Sequence, residues 1–247
     1  MITFKNVWKD YSKGLLLSKT SALQGISFSL ERGKTLGLIG ANGAGKSTII
    51  RLLMDFIRPN QGEITLFDSK VSKYSIRKNI GYLPETANFP ENLNIIDLLR
   101  FTGATCSLTK TVFRQRSEQW LRELDLWRVR KRPLRTYSKG MQQRANFVLA
   151  LINDPELLIL DEPMSGLDPM GRNKIISLIQ RLKREGKTIL FCSHILEDVD
   201  RLVDNILLLH KGRKLFFGSP DELTRRENCS SMAEAFVCTV QREENDG

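Results

Sequence analysis

The stretch that decides the fold is Leu36-Gly-Leu-Ile-Gly40-Ala-Asn-Gly43-Ala-Gly45-Lys46-Ser47-Thr48-Ile-Ile50. An apolar run ends in a glycine-rich segment, and a second segment with helical spacing of its apolar residues begins at Lys46. The pattern G-x-x-x-x-G-K-[ST] between a strand and a helix is typical of a phosphate-binding loop. A plain glycine turn is the alternative interpretation, and the strand and helix on either side argue against it.

Each part of this phosphate loop has a physical role. Glycines allow the backbone to curl, so that successive N–H groups point inward and form a concavity for an anion. The helix that begins near Gly45 adds its dipole and its unpaired N–H donors. Lys46 offers a charge to the β- and γ-phosphates, and Ser47 offers a hydroxyl ligand to Mg²⁺. The predicted nucleotide contacts are Gly40, Asn42, Gly43, Ala44, Gly45, Lys46, Ser47 and Thr48.

The composition of the 247 residues indicates one large domain, or a domain with an inserted subdomain. The 38 basic and 28 acidic residues give a formal charge of +10, which favours an anionic partner such as a nucleotide, a nucleic acid or a membrane surface. Because no apolar run approaches the ~20 residues of a membrane-spanning helix and no signal-peptide core is found, we expect a cytosolic protein. The cysteines lack C-x-x-C spacing, which predicts free thiols and no structural zinc.

Strands and helices alternate along the chain, which predicts an α/β fold with a mostly parallel sheet and helices on both faces. Near the N-terminus, residues 2–8 and 24–30 alternate apolar and polar side chains and predict antiparallel, half-buried strands. The further predicted strands are residues 35–39, 63–67, 80–83, 157–160, 188–192, 205–209 and 214–217. Residues 220–226 are predicted to be the last helix, followed by a polar tail.

Residues 91–153 interrupt this alternation and predict a helical insert. An amphipathic helix is expected over residues 93–101, a second helix around Trp120, and a third from about Lys139 to Asn153. The cationic segment Arg128-Val-Arg-Lys-Arg-Pro-Leu-Arg135 precedes the third helix.

Two carboxylates follow a buried strand in Leu157-Leu-Ile-Leu-Asp161-Glu162-Pro163. They stand at the carboxyl end of the strand, which is the edge where open α/β sheets bind ligands. Asp161 is expected to hold Mg²⁺ directly or through water, and Glu162 to accept a proton from an attacking water. An acidic strand end before a proline turn is the structural alternative, and a phosphate loop in the same chain argues against it.

The signature segment, Tyr137-Ser138-Lys139-Gly140-Met141-Gln142-Gln143-Arg144, resembles the signature motif of the ATP-binding cassette (ABC) ATPases, usually written Leu-Ser-Gly-Gly-Gln. Tyr137, Lys139 and Met141 depart from that motif, whereas Ser138 and Gly140 match it. Ser138 and Gly140 supply a hydroxyl and a closely approaching N–H at a helix start. The resemblance implies that both groups contact the γ-phosphate of ATP. An ordinary helix start is the alternative, and the position between the insert and the two carboxylates favours the motif.

Three further segments are similar to this family and follow in the expected order. Ser165-Gly166-Leu167-Asp168 resembles the D-loop, which communicates across a dimer. His194 follows a strand and matches the switch histidine that contacts the γ-phosphate, with a surface or core histidine as the plainer alternative. Tyr11 matches the aromatic residue that stacks on adenine, and a packed surface tyrosine is a serious competitor.

Glu85 is a departure from the family pattern. Ile80-Gly-Tyr-Leu-Pro84-Glu85 aligns with the loop that usually carries a glutamine touching Mg²⁺ and the attacking water. A carboxylate there binds the metal more strongly but adds negative charge near the γ-phosphate. Some exporter-type cassettes look like this, so Glu85 is a candidate metal or coupling residue.

The resemblance covers essentially the whole chain and implies one P-loop NTPase cassette over residues 1–247. Its RecA-like core with a β subdomain would occupy residues 1–90 and 154–230, its helical subdomain residues 91–153, and a short C-terminal tail residues 231–247. In the family, the phosphate loop of one copy faces the signature segment of a second copy across each ATP. The resemblance therefore implies a head-to-tail homodimer that forms with ATP and Mg²⁺.

The leading functional expectation is the ATPase subunit of an ABC transporter of exporter type. The chain would sit in the cytoplasm as a peripheral protein on the cytoplasmic face of the cell membrane, beside an integral-membrane permease. A short permease helix is expected in the groove between the helical insert and the Glu85 loop. Phe89, Ile95 and Ile96 are the candidate contacts, and internal packing is the alternative for each.

A competing class is a soluble ABC ATPase acting on nucleic acid or ribosomes, which the charge of +10 and the cationic segment would suit. We expect no nucleic-acid partner, because the chain shows neither a second cassette nor a long coiled-coil insertion. A catalytically dead binding module is disfavoured, because Lys46, Asp161, Glu162 and His194 are all present.

Overall fold

The computed structural model of the chain describes residues 1–13, 18–86, 88–90 and 92–246. Contacts between Cα atoms divide the chain into two compact units, of which the first comprises Met1–Ile76 with Thr188–Gly247 and the second comprises Arg77–Lys187. The second unit contains the predicted helical insert together with strands on either side of it. The subdomain bounds at residues 90 and 154 stay a prediction.

The strands and helices of the described ranges follow the predicted alternation. The strands are β1 (Ile2–Lys13), β2 (Ser18–Leu30), β3 (Thr35–Ile39), β4 (Gln61–Leu66), β5 (Ser69–Lys70), β6 (Ile80–Leu83), β7 (Leu157–Asp161), β8 (Thr188–Cys192), β9 (Asn205–His210) and β10 (Arg213–Gly218). The helices are α1 (Lys46–Leu53), α2 (Ile95–Thr105), α3 (Lys110–Glu123), α4 (Lys139–Leu151), α5 (Pro169–Arg184), α6 (Leu196–Leu202), α7 (Pro220–Glu227) and α8 (Met232–Asp246). None of these helices combines the length and apolarity needed to cross a bilayer.

An antiparallel sheet in the first unit has the strand order β2-β1-β4-β5. Ile2 pairs with Leu30 of β2 and with Leu66 of β4, and the rings of Phe4 and Phe28 stack with centroids 4.6 Å apart. The predicted antiparallel N-terminal strands are thus confirmed. They run longer than predicted, because their far ends are paired through the backbone of largely polar residues, which an apolar–polar alternation does not reveal.

The parallel part of the first unit has the order β10-β9-β3-β8, with β10 antiparallel to β9. Leu38 of β3 pairs with Leu207 on one side and Cys192 on the other. Every residue of β3 and β8 is buried, as their continuous apolar sequences predict. Because the two strands are parallel, the phosphate loop after β3 and His194 after β8 leave the same edge of the sheet.

In the second unit, β6 and β7 are parallel, and Leu83 pairs with Leu160. The residues that follow these two strands, Glu85 and Glu162, therefore leave the pair at the same end. Helices α2, α3 and α4 pack against one another, and α4 also packs on β6. The predicted helical character of this region is confirmed.

The C-terminal segment differs from the prediction. Residues 231–247 were expected to be a polar tail after a last helix at 220–226, but Met232–Asp246 forms α8. Ser231 Oγ accepts a hydrogen bond from Glu234 N at 3.2 Å and caps the helix. Met232, Ala235 and Thr239 are buried at helical spacing. This narrow buried stripe stabilises the helix, and the charged residues at its C-terminal end make the segment resemble a polar tail in the sequence.

Helix α2 begins with a capping box that supports a stability prediction. Asn94 Oδ1 accepts from Asp97 N at 3.2 Å, and the Asp97 carboxylate accepts from Asn94 N at 3.4 Å. We expect Asn94→Ala to lower the free energy of unfolding by about 1 kcal/mol, because an orphan N–H donor of the first turn loses its acceptor. Denaturant titration measures this loss, and Asn94→Asp is the control because it keeps an acceptor. Equal stability of Asn94→Ala and the wild type would contradict the prediction.

Candidate functional site

The phosphate loop leaves β3 at Gly40 and ends at Gly45, the N-cap of α1. Gly40, Gly43 and Gly45 have φ of 151°, 81° and 113°, which glycine adopts readily and other residues do not. A Cβ atom added at Gly45 would lie 2.8 Å from the carbonyl oxygen of Ala22, whereas one at Gly43 would meet nothing within 4 Å. The loop is therefore curled. At Gly45 it packs closely against β2, and at Gly43 it is open.

The side chains of the phosphate loop suit a polyphosphate. Lys46 Nζ donates to the carbonyl oxygens of Gly40 at 2.5 Å and Ala41 at 3.1 Å, so the ammonium group closes over the loop. Among the remaining predicted contacts, Asn42 and Ser47 are exposed, and Ala44 and Thr48 are buried. An ammonium group, an exposed hydroxyl and a helix N-terminus are strong donors to phosphate oxygens.

His194 and Tyr11 lie in the same unit as the phosphate loop. His194 is exposed and stands in the bend between β8 and α6. Tyr11 is half-buried within β1, where it pairs with Thr20, and Lys9 Nζ lies 5.6 Å from its ring centroid. Tyr11 lies beyond the strand predicted at residues 2–8 because β1 continues to Lys13, and its role beside adenine stays a prediction.

The end of β7 carries the two predicted carboxylates. Asp161 is the last residue of the strand and is 9% exposed. Glu162 has φ +47°, a left-handed conformation that costs a residue with a side chain energy and that clusters at functional sites. The sharp turn of the backbone after β7 therefore sets the direction of the Glu162 carboxylate.

Helix α4 holds this turn through buried amide side chains that the sequence analysis did not single out. Gln143 Nε2 donates to the carbonyl oxygens of Glu162 at 3.2 Å and Pro163 at 3.0 Å. Asn146, one turn further along α4, donates to the carbonyl oxygen of Pro84 at 3.4 Å. One helix thus holds the backbone beside both Glu162 and Glu85. Both amides are buried on the same face of α4 as apolar side chains, and buried polar groups of this kind need hydrogen-bond partners.

The signature segment forms the start of the same helix. Ser138 is the N-cap of α4, and its Oγ accepts from Met141 N at 3.3 Å, so the hydroxyl hydrogen is left to donate. A Cβ atom at Gly140 would lie 3.4 Å from the carbonyl oxygen of Gly166, and one at Gly166 would lie 3.3 Å from Lys139 Cδ. The signature segment and the D-loop are therefore in contact.

A cavity of about 590 Å³ opens beside these two segments, lined by Ser138, Lys139, Gly140, Leu167 and Asp168 among others. On its wall, Asp125 Oδ2 accepts from Lys174 Nζ at 2.5 Å and from Arg144 Nη1 at 3.2 Å. Arg144 Nε also donates to the carbonyl oxygen of Gly140 at 3.3 Å. The lining has three cationic side chains (Lys139, Arg144 and Lys174) and two carboxylates (Asp125 and Asp168). The cavity therefore carries one net positive charge, which suits an anion.

Glu85 follows β6 and is exposed. In the described part of the chain, no three His, Cys, Asp or Glu side chains are grouped so that they could hold a metal ion by themselves. The proposed Mg²⁺ ligands, a hydroxyl at Ser47 and carboxylates at Asp161 and Glu85, are nevertheless the oxygen donors that Mg²⁺ prefers. Since Mg²⁺ is usually held by few protein groups together with substrate phosphates, these donors fit it.

Tyr137, which departs from the family motif, fastens the cationic segment. Its hydroxyl donates to the carbonyl oxygen of Val129 at 3.0 Å. Burial raises the pKa of Tyr137 above its ordinary value, although the charge of Arg132 works in the opposite direction. The phenol therefore stays neutral and able to donate. Trp127, the residue just before that segment, has the guanidinium groups of Arg122 and Arg130 over its ring, at 4.6 Å and 3.8 Å from the centroid. Its ring is therefore already engaged in cation–π contacts.

The apolar residues expected at a permease contact are only partly accessible. Ile95 is fully buried, so its prediction as a contact is wrong and internal packing is its role. Phe89 and Ile96 are half-buried. The large exposed apolar side chains near the start of the insert are Leu93, 39% exposed, and Phe101, 71% exposed.

Comparison with known proteins identifies the family. The sequence profile of the family described as ABC transporter matches residues 23–165, more than half of the chain. Uncharacterized ABC transporter ATP-binding proteins of Nostoc and Synechocystis are 41% and 40% identical over 89% and 87% of this chain, which spans 67% and 62% of their own lengths. The linearmycin resistance ATP-binding protein LnrL of Bacillus subtilis is 33% identical over 98% of this chain and 79% of its own.

Solved structures agree with these sequence relatives. A structure described as the ATP-binding subunit of an ABC transporter is 29% identical, with a TM-score of 0.88 over 97% of this chain and 99% of that one. A bacterial ABC transporter cassette solved as a dimer is 25% identical, with a TM-score of 0.81 over 89% and 98% of the two chains. The predicted cassette fold is thus confirmed. The chain therefore belongs to the ABC transporter family and is one of its ATP-binding subunits, an ATPase.

Proposed function

We propose that this chain powers an ABC exporter by hydrolysing ATP as a head-to-tail homodimer against a membrane permease. The observation that supports this most is the end of β7, where Glu162 stands in a left-handed conformation beside Asp161 and is held by Gln143. Strained backbone of this kind clusters at functional sites, and a carboxylate at such a position can act as a general base. A module that only bound nucleotide would have no use for it.

The proposed roles follow the chemistry of each group. Backbone N–H groups of residues 40–48 and the Lys46 ammonium group hold the phosphates of ATP, and Tyr11 packs against the adenine. Ser47 and Asp161 would hold Mg²⁺, with Glu85 as a further acidic candidate, and the bound ion would neutralise charge on the phosphate oxygens. Glu162 takes the proton of the attacking water, and His194 donates to the γ-phosphate.

The second copy of the chain is proposed to supply Ser138 and Gly140 to the γ-phosphate. The Ser138 hydroxyl accepts from Met141 N through a lone pair, and its hydrogen remains to donate to the phosphate. The cavity beside it carries net positive charge, and a related cassette has been solved as a dimer. ATP would then favour the closed dimer, because its phosphates supply the negative charge that both copies bind.

The direction and place of transport are proposed from the relatives and from one surface. LnrL is named for resistance to linearmycin, and resistance by removal of a drug supports export. We place the chain in the cytoplasm, on the cytoplasmic face of the cell membrane, with Leu93 and Phe101 as the apolar contacts of the permease.

Site-specific cross-linking tests the transporter proposal. A photo-reactive residue at position 101 should yield an adduct with an integral-membrane protein in cells, whereas the same residue at Val237, which is 48% exposed, should not. Filter binding with RNA and DNA at ~0.15 M salt should show no saturable retention. Tight, saturable binding of nucleic acid without an adduct at position 101 would replace the exporter proposal by the soluble ATPase acting on nucleic acid.

A further inference from the structure

The turn between β9 and β10, residues Lys211 and Gly212, is hydrogen-bonded to the phosphate loop. Gly212 N donates to the carbonyl oxygen of Ala44 at 3.1 Å, and the carbonyl oxygen of Gly212 accepts from Gln24 N at 2.8 Å. The phosphate loop is thereby joined through one glycine to β2. Neither the phosphate-loop pattern nor the family motifs point to Gly212.

Packing at this junction leaves room only for glycine. Gly212 has φ +78°, and a Cβ atom there would lie 2.9 Å from the carbonyl oxygen of Ala22. The same oxygen would lie 2.8 Å from a Cβ atom at Gly45. The turn, β2 and the phosphate loop therefore meet backbone to backbone, and a shift of the turn is transmitted to the loop without a side chain to absorb it.

Side chains hold the turn in this place. Gln24 Nε2 donates to the carbonyl oxygen of Lys211 at 3.0 Å, and Gln24 Oε1 accepts from Arg213 Nε at 3.1 Å. Glu244 of α8 lies 3.4 Å from Lys211 Nζ and 3.5 Å from His210 Nε2. Gln24 contributes more to holding the turn, because the Lys211–Glu244 ion pair at this exposed end of α8 contributes little.

We propose that Gly212 is a positioning residue for ATP binding, which acts by setting the orientation of the Ala44–Gly45 peptide. The carbonyl of Ala44 and the N–H of Gly45 belong to one planar trans peptide and point in opposite directions. Holding the carbonyl toward Gly212 therefore turns the Gly45 N–H away from the turn. Without that hydrogen bond, the peptide next to a glycine is free to rotate and to present its carbonyl oxygen, a repulsive group, to a phosphate.

The inference rests on the proposed ATP-binding role of the loop. A comparison of two glycine-to-alanine variants, at Gly212 and at Gly186, tests it. Gly212→Ala should weaken ATP binding, measured by equilibrium titration, about three- to tenfold, since one hydrogen bond and the loop geometry are lost. Gly186→Ala is the matched control, because Gly186 has φ +82° and an added Cβ there meets nothing within 4 Å. Both variants carry the same backbone strain, so a difference in ATP affinity reports the contact with the loop.

Two further measurements keep the test decisive. Gln24→Ala leaves the backbone bonds intact and should weaken ATP binding about twofold, which carries the test if Gly212→Ala does not fold. Hydrogen exchange at the amide of residue 212, the donor to the Ala44 carbonyl oxygen, should be faster in nucleotide-free Gly212→Ala than in Gly186→Ala. Unchanged exchange and ATP affinity in Gly212→Ala would overturn the positioning role. A wild type that binds no ATP would overturn the proposed function instead, and the exchange measurement would still decide whether Gly212 holds the Ala44–Gly45 peptide.

Discussion

Glu162→Gln should bind ATP with an affinity close to that of the wild type and hydrolyse it at least about a hundredfold more slowly. The amide fills the same space and keeps the backbone that Gln143 holds, but it cannot accept a proton from water. General-base catalysis contributes roughly 10²–10⁴-fold to rate, which sets the size of the loss. Because ATP then stays intact between two copies, the variant should accumulate as a dimer.

Phosphate release in the steady state measures the rate, and size-exclusion chromatography with ATP and Mg²⁺ measures the dimer. Glu118→Gln is the matched control, since Glu118 is a surface carboxylate that pairs with Arg122 one turn away on α3. Turnover of Glu162→Gln at the wild-type rate would remove Glu162 from the proposed mechanism. A variant that stays monomeric with ATP would count against the two-copy site.

Lys46→Ala should bind ATP at least about tenfold more weakly and show turnover near background. The variant loses a charge-assisted contact with the phosphates, and hydrogen bonds to charged groups are each worth about 1.5–3 kcal/mol. The fold should tolerate the change, because the Lys46 ammonium group donates to two carbonyl oxygens of the loop, those of Gly40 and Ala41, and water can replace it there.

Titration with a fluorescent ATP analogue measures this affinity. Lys34→Ala is the control, since Lys34 is an exposed lysine in the turn just before β3. Lys46→Arg separates charge from shape, because it keeps the charge but presents a planar group too large for the loop. Wild-type ATPase activity in Lys46→Ala would show that the phosphate loop is not the nucleotide site.

Much of the fold was predictable because its strands carry unambiguous patterns. β3, β6 and β8 begin and end where the sequence analysis placed them, since each is a short apolar run between turn residues. The two carboxylates were predictable for the same reason, as a buried strand leads directly into them. The long polar ends of β1 and β2 were not, because only the backbone pairing there shows that they are strands.

The parts of the site that escaped prediction depend on distances between segments far apart in sequence. Gln143 and Asn146 read as ordinary residues of a helix, and only the fold brings their amides to the carbonyl oxygens of Glu162 and Pro84. Gly212 reads as a hairpin glycine until the phosphate loop is placed against it. Helix α8 was missed because its apolar stripe is short and ends in charged residues.

At Glu162 the left-handed backbone sets the stability of the chain against its catalytic activity. Such a conformation costs a residue with a side chain about 1–3 kcal/mol, which glycine would recover. Selection for heat resistance alone would thus favour glycine at position 162. Each such variant would be more stable than the wild type but would lack the Glu162 carboxylate. Screens for robust variants of this subunit have to score turnover together with survival of heating.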